Sequence, residues 1–160
     1  MTMELLIFAL VLALAYANGT NDVSKAIATL VGSGITNYRA AILWGTFWTM
    51  VGAGAAALVA GAMVKTFSQG LVQAGTSIPP IVAMAVLAGA MAWVLCASYT
   101  GLPVSTTHVS SSAIIGIGLR KGVRAVSWST VRHMVLAWIV TLPATAFLAF
   151  LSYWILSAAF

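Results

Sequence analysis

The sequence predicts an all-α integral membrane protein with about four to six membrane segments, including a broken helix and a re-entrant helical segment, at roughly 20 residues per crossing. Composition carries the first part of that expectation. Of the 160 residues 62% are hydrophobic and 6% charged, and the mean hydropathy is +1.07. Charge patterning carries the second, because no formal charge occurs from Thr66 to Leu119. The third observation is a pair of polar strings, Asn18 to Lys25 and Pro103 to His108, in apolar surroundings. Hydroxyls, amides and an imidazole are costly in hydrocarbon unless partnered or wetted, so these strings point to passage of a polar solute.

Leu5 to Tyr16 forms an apolar piece too short to cross a bilayer alone at about 1.5 Å per residue. Asn18, Gly19 and Asn21 are expected to interrupt it before Val23 to Val31 resumes the helix, with Asn21 or Asp22 as cap of the second piece. Gly32-Ser33-Gly34 and Asn37 read as a turn-rich link. Ala40 to Val64 is the cleanest spanning pattern, bounded by Arg39 and Lys65, and its glycines offer small surfaces for close helix approach. Lys65 to Ser77 is a more polar connection. Pro79-Pro80 then opens an apolar segment to about Ser98, and Tyr99 to Pro103 breaks the chain again.

Val104 to Leu119 follows as a short segment whose Ser105, Thr106, Thr107, His108, Ser110, Ser111 and Ser112 suit a protein-buried or re-entrant half-helix better than a lipid-facing one. Pro103 is expected to start it, since a first turn does not need the missing N–H. Arg120, Lys121, Arg124 and Arg132 fall in an expected loop with Trp128, placed on the cytoplasmic side by the positive-inside rule. Met134 to Ile155 is the last span, with Pro143 expected to bend it.

Composition also excludes. The net charge of +5 is seven basic residues less two acidic ones, and the basic residues form no dense patch and lack aromatic interleaving, so no nucleic-acid partner is expected. The lone Cys96 reads as a small packing residue. His108 and His133 form no compact zinc set, Gly116-Ile117-Gly118 completes no P-loop, and neither an acid pair nor a serine triad is evident. No catalytic residue, enzyme activity or cofactor is expected. The first segment lacks a basic n-region and reads as retained.

The two strings carry the chemistry. Asp22 can hold a cation or pair with Lys25 three residues later on the same helical face. Asn18, Thr20 and Asn21 offer neutral oxygens to sodium or donors to an oxyanion, with Ser24 beside them. A cation neutralising Asp22 would weaken its repulsion of an anion and so couple the two solutes. Ser105, Thr106 and Thr107 donate through hydroxyls at a helix start, which suits phosphate or a similar tetrahedral oxyanion. Sodium could share their oxygens, with Asn21, Asp22 and Thr106 as its ligands. His108 could bind the oxyanion, relay a proton or make a structural hydrogen bond.

Gly19-Thr20-Asn21-Asp22-Val23-Ser24-Lys25-Ala26 resembles the Gly-Ala-Asn-Asp-Val-Ala-Asn-Ala signature of the inorganic phosphate transporter (PiT) family. Gly101-Leu102-Pro103-Val104-Ser105-Thr106-Thr107-His108 looks like its other signature. Val31-Gly32-Ser33-Gly34 and Trp138 to Pro143 extend the resemblance over roughly residues 4 to 155. It implies symport of inorganic phosphate with sodium or protons through two repeats of opposite orientation. It also implies a prokaryotic inner or plasma membrane. The match assigns Asn21 and Asp22 to the polar site and Ser105, Thr106 and Thr107 to the oxyanion site. Lys25 departs from the signature asparagine, so it could replace a cation, strengthen anion binding or disable sodium coupling.

Length departs as well, since the chain carries one set of motifs where members carry two. It reads as a single domain over residues 1–160, a half-length transporter pairing as a homodimer or with a second half, or an internally shortened product. A sulfate or other oxyanion permease, a passive channel and a non-transporting assembly or regulatory subunit stand as alternatives.

Overall fold

The structure, a computed structural model, describes residues 2–72 and 79–159. It is all-α, with two compact units, Met1–Val126 and Ser127–Phe160.

In the first unit, α1 (Met3–Gly32) is one continuous helix of 30 residues, which corrects the expected break at Asn18 to Asp22. The polar string stays helical because its side chains bond the turn before them. Thr20 Oγ1 donates to the Ala17 carbonyl at 2.7 Å and Ser24 Oγ to the Thr20 carbonyl at 2.9 Å. Asp22 is not a cap but pairs with Lys25 within the helix. At about 1.5 Å per residue α1 is some 45 Å long, ample for a bilayer.

Gly34, at φ +73°, turns the link, and Asn37 accepts from the Ala40 N–H at 2.9 Å to start α2 (Tyr38–Val59). The broken helix lies here. The expected single span to Val64 ends at Val59, where Ala60 takes ψ 2° and separates α3 (Gly61–Lys65) from α2. A π-helical turn, Thr66–Gly70, continues the run. The first part of the expected polar connection from Lys65 is therefore helical, and its residues 73–77 lie outside the described residues.

α4 (Pro80–Thr100) opens with proline at its first position and closes at Gly101, whose φ of +72° allows the Leu102 N–H to reach the Ala97 carbonyl at 2.8 Å. α5 (Thr106–Lys121) starts under Ser105, whose side chain accepts from the His108 N–H at 3.4 Å. Pro103 thus lies two residues before the cap. Serine takes the cap position because it supplies an acceptor that proline lacks. α5 is about 24 Å long, short of the roughly 30 Å hydrocarbon core. A 3₁₀ turn, Val123–Ala125, follows Gly122, and Val72 makes an isolated antiparallel bridge with Val126. No strand occurs among the described residues.

α1 packs on α2 and α4, and α4 on α5. The contacts are made by small or branched residues: Ala17, Val23 and Ile27 of α1, Ala41 of α2, and Ala90, Val94 and Ala97 of α4 are buried. Gly45 brings α2 close, since a Cβ there would lie 2.8 Å from Ile27 Cγ2 and 3.1 Å from Val23 Cγ1. Elsewhere the apolar side chains point outwards, including Trp44, Phe47, Trp48 and Leu58 of α2. Cys96 also lies on the exposed surface of α4, not in the packing role expected for it. Helices apolar on their open faces suit hydrocarbon or packing against other membrane helices.

The second unit is α6 (Trp128–Ala159), with Pro143 inside it. Trp128 and Arg132 belong to its first turns instead of a loop, because the Ser127 and Thr130 hydroxyls meet at 2.9 Å and the Val131 N–H bonds the Ser127 carbonyl. Four helices, α1, α2, α4 and α6, are long and apolar enough to cross a membrane. This is a multi-pass integral membrane protein.

Candidate functional site

The two polar strings meet. Thr106, the first residue of α5, donates through Oγ1 to Asp22 Oδ2 of α1 at 3.4 Å. That is long for a hydroxyl–carboxylate bond, so the contact is loose. The turn at Gly101 makes it possible by sending the chain back across α1 before Ser105 restarts a helix. Along that crossing Lys25 Nζ donates to the Val104 carbonyl at 2.8 Å while pairing with Asp22 Oδ1. The Asn21 side-chain amide donates to Ser98 Oγ at 3.4 Å and the Leu102 carbonyl at 3.5 Å, and Thr20 Oγ1 reaches Ser98 Oγ at 3.4 Å.

Of these groups Thr20, Asn21, Lys25, Ser98 and Leu102 border a cleft of about 230 Å³, whose lining Ser24, Gly101 and Pro103 extend, while Asp22 and Thr106 lie outside that lining. The cleft has several times the roughly 30 Å³ that a water molecule occupies in the liquid. Its side chains offer hydroxyl and amide donors and one ammonium, a set suited to a small oxyanion. Two carbonyl oxygens nearby, Asn18 Oδ1 and Asn21 Oδ1, are buried without a hydrogen-bond partner. Buried acceptors left unpaired cost free energy, which a cation or a donor reaching them would recover.

The other expected residues sit differently. Ser105 caps α5. The Thr107 carbonyl accepts from Ser111 Oγ at 2.6 Å. His108 faces another cleft, lined by Gly89, Ala90, Trp93, Val109, Ser112 and Ala113. Conversely, Ser98 and the Leu102 and Val104 carbonyls were not singled out from sequence. A serine ending an apolar run carries no local signal, and carbonyls carry none. No group of three or more His, Cys, Asp or Glu residues that could hold a metal ion occurs among the described residues.

Comparison with known proteins places this geometry in context. The model of the "Phosphate transporter family" matches residues 18–103 and 76–149, which between them contain both strings. A Chlamydia pneumoniae protein described as a phosphate permease is 35% identical over 92% of this chain and 35% of its own length. The Arabidopsis thaliana "Inorganic phosphate transporter 2-1, chloroplastic" is 32% identical over 89% of this chain and 25% of its own. Among solved structures, "The sodium-dependent phosphate transporter" superposes with a TM-score of 0.77 at 32% identity, over 88% of this chain and 35% of that one. The chain spans 35% to 44% of the length of the first curated relatives it matches. With both polar strings inside the matched residues, the chain belongs to the phosphate transporter family.

Proposed function

We propose that this chain builds the solute path of a cation-coupled inorganic phosphate symporter, acting as a homodimer or beside a second transporter half. The contact between Asp22 and Thr106 carries this reading, because it joins two strings 84 residues apart next to the cleft that Thr20, Asn21 and Lys25 line. Thr20, Asn21 and Ser98 supply phosphate donors on one side of the crossing chain, and Thr106 with Thr107 and Ser105 forms the hydroxyl-rich start of α5 on the other. The coupling groups are Asp22, Lys25, Ser24 and the amide oxygens of Asn18 and Asn21. His108 belongs to the α4–α5 side and acts there as a second polar contact along the path.

The physical logic is electrostatic. A phosphate anion is favoured by donors and by the ammonium and opposed by the Asp22 carboxylate, so a positive charge beside that carboxylate, from Lys25 or from a coupling ion, governs its binding. No covalent step is needed, so the role is transport and not catalysis. Residues 1–160 act as one membrane domain with one copy of each motif, and the short α5 starting at the site accords with repeat-based carriers. Relatives occur in bacteria and in a plant, and we assign this chain to a prokaryotic inner membrane from its motif resemblance.

Purified protein in proteoliposomes, supplied with radiolabelled phosphate under separate sodium and proton gradients, tests the reading. Accumulation that collapses with the driving gradient supports the symporter. Downhill flux alone makes it a channel, stronger competition by sulfate makes it a sulfate permease, and no flux makes it a non-transporting subunit.

A further inference from the structure

Lys25 faces the carboxylate at the meeting of the two strings. Its ammonium pairs with Asp22 Oδ1 and donates to the Val104 carbonyl at 2.8 Å, outside its own helix. The second carboxylate oxygen of Asp22 accepts from Thr106. Both Asp22 oxygens are therefore engaged by this chain, and the pair sums to zero formal charge. Of the pair only Lys25 lines the cleft, and the other side chains that line it are neutral. Lys25 and Asp22 are 38% and 42% exposed, so an entering ion can sense both.

We propose that Lys25 is a tethered counter-cation: it supplies at Asp22 the positive charge that a bound sodium ion would bring, so the cleft takes inorganic phosphate without sodium. The assignment rests on the phosphate reading above and narrows its cation coupling to protons, since it removes the need for sodium at Asp22. An ammonium is a compact point charge with three donors, of which two are accounted for by Asp22 and Val104. Because it is covalently attached, no second solute has to be captured before the carboxylate is compensated. A sodium ion approaching Asp22 would meet a like charge and a carboxylate already engaged. Removing the ammonium reverses this, because Asp22 Oδ1 is released on the same stretch of α1 as the unpartnered oxygens of Asn18 and Asn21.

Two variants separate charge from packing. Lys25→Gln keeps reach and a donor for the Val104 carbonyl but loses the charge, whereas Lys25→Arg keeps the charge. Phosphate binding to the purified protein is measured by calorimetry in sodium chloride and in choline chloride at equal ionic strength. The parent chain and Lys25→Arg are expected to bind equally in both salts. Lys25→Gln is expected to bind about tenfold or more weakly in choline and to recover in sodium, as an uncompensated carboxylate repels the anion. A parent chain that needs sodium, or a Lys25→Gln protein indifferent to the salt, overturns the proposal.

A second readout omits phosphate. Ligands that bind the native state raise the unfolding midpoint, so sodium alone should raise it for Lys25→Gln and not for the parent chain or Lys25→Arg. An equal sodium-specific rise in the parent chain overturns the tethered cation even if phosphate never binds. Absence of phosphate binding with the expected sodium pattern overturns the phosphate reading and leaves the tethered cation supported. Should Lys25→Gln fail to fold, shown by lost helical circular dichroism, the parent chain's own response to sodium decides.

Discussion

At Asp22 each oxygen has a separate task, one facing Lys25 and the other Thr106. Thr106→Ala removes only the looser partner, so phosphate uptake should fall by about tenfold, the scale of one hydrogen bond to a charged group. Asp22→Ala strands the Lys25 charge, and together with Thr106→Ala it should abolish uptake in sealed proteoliposomes. Ser98→Ala should weaken phosphate binding by a few fold, roughly one neutral hydrogen bond, with helical circular dichroism unchanged. The pairing of Asp22 with Lys25 was legible because opposite charges three residues apart share a helical face. Ser98 was not, because its importance comes from Asn21 and Thr20 reaching it from another helix. Likewise the Val104 carbonyl gains a role only once Gly101 has turned the chain.

Element boundaries followed local chemistry where that chemistry was unopposed. Proline at the head of α4 and the glycine in the break after it act through their own backbone, and the opening and the break were readable. Asn37 caps α2 through its side chain and was legible only as part of a turn-rich link. Asn37→Ala should cost about 1 kcal/mol, measured as reversible unfolding in mixed micelles, because it removes the acceptor of the Ala40 N–H. The break expected in α1 did not form. Asn, Gly and Thr weaken a helix individually, yet Thr20 and Ser24 return their hydroxyls to the preceding turn and packing on α2 and α4 holds the rest. Nothing comparable warned of the interruption at Ala60, where alanine is a strong helix former. The α1–α2 contact invites a sharper test. Gly45→Leu drives a side chain into Ile27 and Val23, and should destabilise the protein by about 1–3 kcal/mol in the same unfolding measurement.

For the molecule as a whole, class and embedding followed from apolar bulk, since open faces such as that of α2 suit lipid or other membrane helices and not water. The site depended on long-range folding, and only the density of polar residues at its two ends announced it. If two copies complete the path, the mass measured in detergent should correspond to a dimer, and uptake should decline on dilution to monomer. Cys96 adds a practical consequence. It is the single thiol of the chain, and it is exposed on α4 two residues before Ser98. Since thiolate is the reactive form and requires water, the rate at which a maleimide attaches there becomes a moisture gauge for that helix face. Slow attachment in membranes that quickens on detergent extraction would mean lipid ordinarily keeps that face dry.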